Sequence, residues 1–374
     1  MSSWFIAGLR AAAGTLHLAW RSGVRSTNQE RQMTLTPGWK VIAAAAVWML
    51  VALMLVALML LAGCGSSGAV GSGSTSADSL TAAASAPGSE AGSDRAAGCG
   101  HPLGLPVDAT ATQTLSSGGR DRTYLIHLPA GYRPNRPNAV ILAFHGRKGT
   151  GNDIEAFSGI DALDAIAVYP RGLPAGGDNE TAWQGAPGAE HADDVRFVGD
   201  LLDRLRATLC VDPNRVFATG KSEGGGFAAL LSCRLRGGIA AFATVSAAFY
   251  PGTDTGCAAS LPVSIVDFHG TGDTIMKYDG GVSHQQHYPS IPDTLRSFAT
   301  RDHCAGSTSA AIGSDVTELS WHGCAPGAAL EHYRITDGGH TWPGALADSG
   351  PGKVTHTISA TQLMWAFFQS HPKH

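Results

Sequence analysis

The sequence predicts an α/β fold in which a mostly parallel central sheet carries helices on both faces, and three observations predict it. Short apolar, strand-like runs alternate along the chain with stretches of helical periodicity, the pattern of strands joined by crossover helices. Several of those runs are apolar throughout instead of alternating, as strands covered on both faces must be. The 48 glycines suit a turn-rich fold and are too many for a helical bundle, although part of that count falls in a tether. A net charge of −4 and a hydrophobic content of 44% supply a core and give no basic face for nucleic acid, so no nucleic-acid partner is expected.

The N-terminus speaks to compartment. Residues 41–62 are almost purely apolar, preceded by Lys40 and four arginines and followed by no Lys or Arg until Arg95. That asymmetry keeps the front inside a cell and sends the rest across the membrane. The run closes on Leu61-Ala62-Gly63-Cys64, which resembles the lipobox of bacterial lipoproteins and makes Cys64 the expected lipidation site. An uncleaved signal anchor is the alternative reading, since about 20 apolar residues span a bilayer. Translation could begin at Met1 or Met33. Residues 1–64 are therefore read as an extension and export signal, placing the rest on the outer face of a bacterial envelope. Residues 65–98 are Gly, Ser, Ala and Thr with few large apolar side chains, a composition that cannot offset its ordering entropy and reads as a flexible tether. Residues 99–374 then form one folded domain.

Within that domain, Arg122–Leu128 alternates like a half-buried strand. Ala139–Phe144, Ile166–Tyr169, Val216–Thr219, Phe242–Val245 and Val263–Phe268 are compact apolar runs, and His332–Ile335 is a late, more polar strand. Asp193–Leu209 places Val195, Val198, Leu201, Leu202 and Leu205 at helical spacing, with Asp194 positioned to cap its start. Gly224–Leu235 and Ser359–Ser370 also read as helices.

Six cysteines remain after Cys64: Cys99, Cys210, Cys233, Cys257, Cys304 and Cys324. An even set in an exported domain reads as disulfides, with fifteen possible connectivities. Cys304 and Cys324 bracket one short segment and are the first pair expected; the others stay open. No Cys-x-x-Cys is present, so a metal site is not expected. His284 and His287 have His-x-x-His spacing but no carboxylate at helical distance, and are read as loop residues.

The chemistry gathers around Gly220-Lys221-Ser222-Glu223-Gly224, a Gly-x-Ser-x-Gly string entered from the strand Val216–Thr219 and left by the helix from Gly224. A serine hydroxyl is a weak nucleophile and must be presented on a sharp strand-to-helix turn, where flanking side chains would collide; hence the glycines. The string Gly220-Lys221-Ser222 is not a phosphate-binding loop, because the glycine that loop requires five positions earlier is Arg215. An acid and a histidine must follow the serine in chain order. Asp273 lies in the loop after Val263–Phe268, and His340 in the loop after His332–Ile335. Asp267, inside its strand, and His269, before the loop, rank second. The expected donors to a developing oxyanion are the backbone N–H groups of Glu223 and of Arg147, the latter in the loop His145-Gly146-Arg147. Trp183, Trp342 and Tyr278 are candidate walls of a substrate pocket, with core packing the equal alternative for each.

As a set, His145-Gly146, Trp183-Gln184-Gly185, Asp193-Asp194-Val195, Cys210-Val211-Asp212-Pro213-Asn214-Arg215-Val216, the serine turn, His269-Gly270-Thr271-x-Asp273 and Gly339-His340-Thr341-Trp342-Pro343 resemble the feruloyl esterase and poly(3-hydroxybutyrate) depolymerase-like carbohydrate esterases of the α/β-hydrolase superfamily. The resemblance spans residues 97–370. It implies the α/β-hydrolase fold, hydrolysis of carboxylic esters through an acyl-enzyme, no metal or organic cofactor, the triad Ser222, Asp273 and His340, and the disulfides. Feruloyl or acetyl esters of plant polysaccharide are the expected substrates and a polyester the runner-up, followed by a peptide; a surface binding protein with a vestigial site is the alternative outside enzymes. One departure stands out: many relatives have Asn after the nucleophile, where this chain has Glu223, a carboxylate beside the expected oxyanion site.

Overall fold

The computed structural model describes residues 97–374 other than 103, 176–179, 190, 236, 255, 256, 258–260 and 374. Met33, the apolar run 41–62, Cys64 and the tether up to residue 96 lie outside the described residues.

In chain order the strands are β1 (Ala109–Ser117), β2 (Arg120–Leu128), β3 (Asn138–Phe144), β4 (Ala165–Pro170), β5 (Leu173–Ala175), β6 (Glu180–Ala182), β7 (Val211–Lys221), β8 (Ala241–Val245), β9 (Ser264–Gly270), β10 (Gly281–Ser283), β11 (Gln286–Tyr288), β12 (Gly306–Ile312), β13 (Val316–His322) and β14 (Leu330–Ile335). The helices are α1 (Gly151–Ser158), α2 (Asp194–Thr208), α3 (Glu223–Arg234), α4 (Ile291–Arg301) and α5 (Ala360–Ser370). Ten strands form one sheet in the order β1-β2-β4-β3-β7-β8-β9-β14-β13-β12. From β4 to β14 every pairing is parallel, whereas β1, β2, β13 and β12 are antiparallel to their neighbours. This is an α/β-hydrolase fold.

The fully apolar strands are buried on both faces, as their composition requires. Along β3, Val140, Leu142 and Phe144 belong to one core and Ala139, Ile141 and Ala143 to the other. The first core is closed by α2, α3 and α4 through residues such as Phe197, Leu201, Phe227, Leu230 and Leu295. The second is closed by α1 and α5 through Ile154, Phe157, Met364, Phe367 and Phe368. Alternation along one strand thus divides the molecule into two apolar layers.

Two local expectations are revised. Asp194 does not cap α2: Asp193 occupies the cap position, and Asp194 is fully buried, accepting from Arg122 at 2.6 Å and from the Gln184 N–H at 2.7 Å. An acid at the head of a helix serves here as the buried counter-charge of a strand arginine. The helix α4 was not expected at all, although Ser290 caps it by accepting from the Asp293 N–H.

Three disulfides close the domain. Cys304–Cys324 joins the segments flanking the β12–β13 hairpin, as expected, while Cys99–Cys210 and Cys233–Cys257 complete the set. Such cysteine usage belongs to an oxidising, extracytoplasmic compartment.

Candidate active site

Parallel strands bring their carboxyl ends to one edge of the sheet, and the loops that leave β3, β7, β9 and β14 meet there. Ser222 follows β7 at φ 56° and ψ −123°, a left-handed geometry that costs on the order of 1–3 kcal/mol for a residue with a side chain. The turn is possible only because its flanks are bare. A Cβ on Gly224 would lie 2.0 Å from the Phe144 carbonyl oxygen, and one on Gly220 would lie 2.3 Å from the Gly224 carbonyl. The Ser222 N–H donates to the Val245 carbonyl at 3.0 Å, and the Ser222 carbonyl accepts from the Ala248 N–H at 2.9 Å. The serine is thereby pinned to the end of the neighbouring strand β8.

Asp273 follows β9 and His340 follows β14, and the two meet: Nδ1 of His340 donates to Oδ2 of Asp273 at 2.7 Å. The other carboxylate oxygen accepts from the N–H groups of Ile275 and Met276, each at 2.8 Å. Burial by itself would raise the Asp273 carboxyl, but hydrogen bonds from His269 and His340, together with their charge, hold it well below the ordinary carboxylate range. An ionised carboxylate only accepts, so the proton sits on Nδ1 and the Nε2 lone pair of His340 is free. Burial lowers the His340 pKa below 6.5; the bond to Asp273 opposes that shift, and the Lys221 ammonium reinforces it. Lys221 is itself buried beside the serine, and desolvation brings it down to about 8.

His269, ranked second in the sequence, touches the site without replacing His340. Its Nε2 lies 2.7 Å from the Met276 carbonyl and 3.4 Å from Oδ2 of Asp273, so it braces the acid loop. Asp267 lies within β9 and binds His332 and Thr244 at 2.8 and 2.6 Å.

The loop after β3 crosses directly over the serine, since a Cβ on Gly146 would stand 3.2 Å from Ser222 Cβ. His145 fixes the loop's entry. Its Nδ1 lies 2.7 Å from the Gly146 carbonyl, and its Nε2 accepts from the Gly172 N–H at 3.0 Å. Desolvation lowers its pKa to about 4, so it stays neutral in that role. The next residue, Arg147, donates from Nε to Oε1 of Glu223 at 2.7 Å. The Glu223 carboxylate is therefore paired with a guanidinium and is not a bare charge beside the serine.

The aromatic walls expected from sequence are corrected. Trp183 and Trp342 are both fully buried and cannot face a ligand. The Trp183 ring stacks on Phe227 and its Nε1 donates to the His145 carbonyl at 2.8 Å; Trp342 donates to Thr361 at 3.0 Å and packs against Phe157. Tyr278 is half-buried, with its hydroxyl 3.0 Å from His332 Nε2. Beside the site lies a small cluster that sequence reasoning missed: Ala186, Ala248, Tyr250, Met276 and Tyr288. It touches the serine through the Ala248 N–H and the acid through the Met276 N–H. Its members come from three loops and one short strand, so no periodicity announces it.

A cavity of about 630 Å³ lies beside Asp293, Arg296, Arg301 and His303 and is lined by none of Ser222, Asp273 and His340. Among the described residues one group, His127, Glu155 and Asp161, gathers potential metal ligands within 4.8 Å of one another. Hydroxyls already bridge it, Thr110 to His127 at 3.1 Å and Tyr169 to Asp161 at 2.7 Å.

Comparison with known proteins finds carboxylic ester hydrolases among those this chain resembles. The family model for Esterase matches residues 116–252, from the β1–β2 hairpin through the serine turn. The chain is 28% identical over 262 residues to feruloyl esterase C of Emericella nidulans, covering 67% of this chain and 84% of that protein. It is 28% identical over 290 residues to feruloyl esterase D of Neurospora crassa, covering 72% and 89%. Among solved structures, acetyl xylan esterase from Aspergillus awamori aligns with 69% of this chain and 98% of its own at a TM-score of 0.49 and 16% identity.

The serine turn yields a direct test. Gly224→Ala should lower the unfolding free energy by about 3 kcal/mol, as overpacking against fixed backbone does. Gly104→Ala, where an added Cβ meets nothing within 4 Å, should change it by less than about 0.5 kcal/mol. Urea denaturation of both variants measures the contrast, and equal shifts would show that the close approach at Phe144 is not what requires glycine.

Proposed function

We propose that this chain, a feruloyl esterase-like carboxylic ester hydrolase, cleaves feruloyl or acetyl esters of plant polysaccharide through Ser222, His340 and Asp273. The observation that carries the reading is the buried Asp273–His340 bond, formed at the same sheet edge as a serine held in left-handed backbone. Its relatives feruloyl esterases C and D support the substrate class.

In this mechanism His340 Nε2 takes the Ser222 proton as Oγ attacks the ester carbonyl carbon. The negative charge that develops on the carbonyl oxygen is met by the N–H groups of Glu223 and Arg147. Collapse of the tetrahedral species expels the alcohol, which leaves with the proton held on His340. Water then attacks the acyl-serine, giving its proton to His340, and release of the acid restores the hydroxyl. Asp273 keeps the imidazole in the Nδ1–H tautomer and stabilises its transient cation. Every step uses groups of this chain.

Ser222→Ala should reduce turnover of p-nitrophenyl acetate and methyl ferulate by at least about 10⁴-fold with an unchanged circular dichroism spectrum. Retained turnover in that variant would remove Ser222 from the mechanism. Running a hydroxybutyrate oligomer beside them decides between polysaccharide and polyester esters, because the preferred substrate is the one with the highest Ser222-dependent kcat/KM.

The base must be neutral to act, and burial with the Lys221 charge lowers the His340 pKa. The acidic limb of kcat/KM should therefore have its midpoint below 6.5, with activity lost as pH falls through it. A midpoint above 6.5 would contradict the environment described for His340.

We further propose that residues 1–64 direct export, that Cys64 is lipidated, and that residues 65–98 tether the domain of residues 99–374 to a bacterial envelope. The run that ends in Leu61-Ala62-Gly63-Cys64 supports this. Cys64→Ser should move the protein from the membrane fraction to the soluble one; retention in the membrane would favour an uncleaved anchor.

A further inference from the structure

We propose that the ion pair between Arg147 and Glu223 is a positioning device that holds the two oxyanion donors of this site in register and screens the acid that directly follows Ser222. The proposal rests on the serine-hydrolase reading above and deepens it.

The two N–H donors belong to segments far apart in sequence, the loop after β3 and the first residue of α3. Arg147 lies in a loop tied to its surroundings by the Lys148 N–H, which donates to the Thr181 carbonyl at 3.0 Å, and by the Gly149 N–H, which donates to the Gly146 carbonyl at 3.0 Å. Those bonds fix the far side of the loop. Across the serine, the link is made by side chains: the two residues that present the N–H groups are the two whose side chains meet at 2.7 Å, with 10% and 3% of them exposed. A shift of either backbone would stretch that bond.

The guanidinium is suited to the task by shape. Its Nε holds Glu223, Nη2 donates to the Pro187 carbonyl, and Nη1 lies 4.0 Å from a Glu180 carboxylate oxygen. Three nitrogens of one rigid plane face three partners, a preorganised spread that the single nitrogen of an ammonium on a flexible stem lacks. Charge gives the second half of the inference. Glu223 is buried, and a carboxylate that close to a developing oxyanion opposes the reaction unless a cation accompanies it. The pair allows an acid at this position while the N–H of the same residue serves the negative charge.

The test uses four versions of the full chain, with turnover of p-nitrophenyl acetate, kcat and KM separated, and circular dichroism as the folding control. Arg147→Met removes the guanidinium that meets Glu223 at 2.7 Å, and kcat should fall about 100-fold, the scale of one lost donor, with KM changed less than about 3-fold. Arg147→Met combined with Glu223→Gln removes both charges and should regain at least about 10-fold of that loss, a coupling expected only of groups that act on each other. Glu223→Gln alone, isosteric and still able to accept from Arg147, should fold and lose less than Arg147→Met. Folded single variants that keep kcat within about 3-fold of the parent would overturn the positioning role, as would a double variant no better than Arg147→Met. Labelling of the parent protein at Ser222 by a fluorophosphonate separates the two levels of inference. A parent that is labelled and active beside unaffected variants refutes only the ion-pair device. A parent that is neither labelled nor active refutes the serine mechanism beneath it.

Discussion

The approach of the helix α3 to the end of β3 governs the rest of this site. The Gly224 backbone lies so near the Phe144 carbonyl that no side chain fits between them, and this contact bends the chain sharply enough to drive Ser222 to φ 56°. The strained residue persists because its surroundings over-determine it: β7 fixes its entry, Val245 and Ala248 hold its peptide groups, and α3 fixes its exit. The same approach places the start of α3 beneath the loop after β3. A hydroxyl and two prospective N–H donors therefore converge from one packing constraint.

Electrostatics then decides what the converged groups can do. A bare carboxylate about 4 Å from a developing oxyanion would oppose it by about 4 kcal/mol at an effective dielectric constant of 20. One well-placed donor contributes roughly 3–4 kcal/mol, so the two effects would cancel. Pairing Glu223 with Arg147 turns that residue from an obstacle into part of the frame. Lys221 acts in the opposite sense on the other side of the serine. Its ammonium disfavours protonated His340, which keeps the imidazole neutral and ready to accept. In the proposed mechanism, buried charges around this serine would bias the base toward its working form and shield the oxyanion from the acid.

Legibility in the sequence followed burial. The seven expected strands all lie in or within a residue of observed strands, and the five read from apolar runs were legible because a strand covered on both faces has no choice but to be apolar. Among the strands not read from the sequence, β1 and β12 are Thr-, Ser- and Ala-rich edges with many exposed positions, held by pairing and not by burial. Of the others, β13 pairs with β12, and β5, β6, β10 and β11 are only three residues each. Asp273 and His340 were readable because strand-end loops in fixed chain order are a local property, and the pairing of Cys304 with Cys324 was readable because a hairpin is short. Trp183 and Trp342 misled because an indole serves a pocket wall and a core equally well, and only the stacking on Phe227 and Phe157's contact separate the two uses. The Arg147–Glu223 bond could not be read, since a separation of 76 residues leaves no trace in spacing.

The sheet contains a second aspartate–histidine pair that shows what distinguishes a candidate catalytic pair from a structural one. Asp267 and His332 face each other in the register of β9 and β14 at 2.8 Å, almost the separation seen between Asp273 and His340. Every remaining polar position of that inner pair is filled: Thr244 donates to the other carboxylate oxygen, and the Tyr278 hydroxyl occupies Nε2 of His332. A histidine whose second nitrogen is already bonded inside a sheet has no lone pair to offer a substrate. Asp273 lies six residues past Asp267 and His340 eight past His332, in the loops beyond the strand ends, and there no described side chain takes the Nε2 of His340, which the proposed mechanism uses as its base. The distance between acid and base does not separate the two pairs. The position on the strand does, because it determines whether the sheet has already consumed the base.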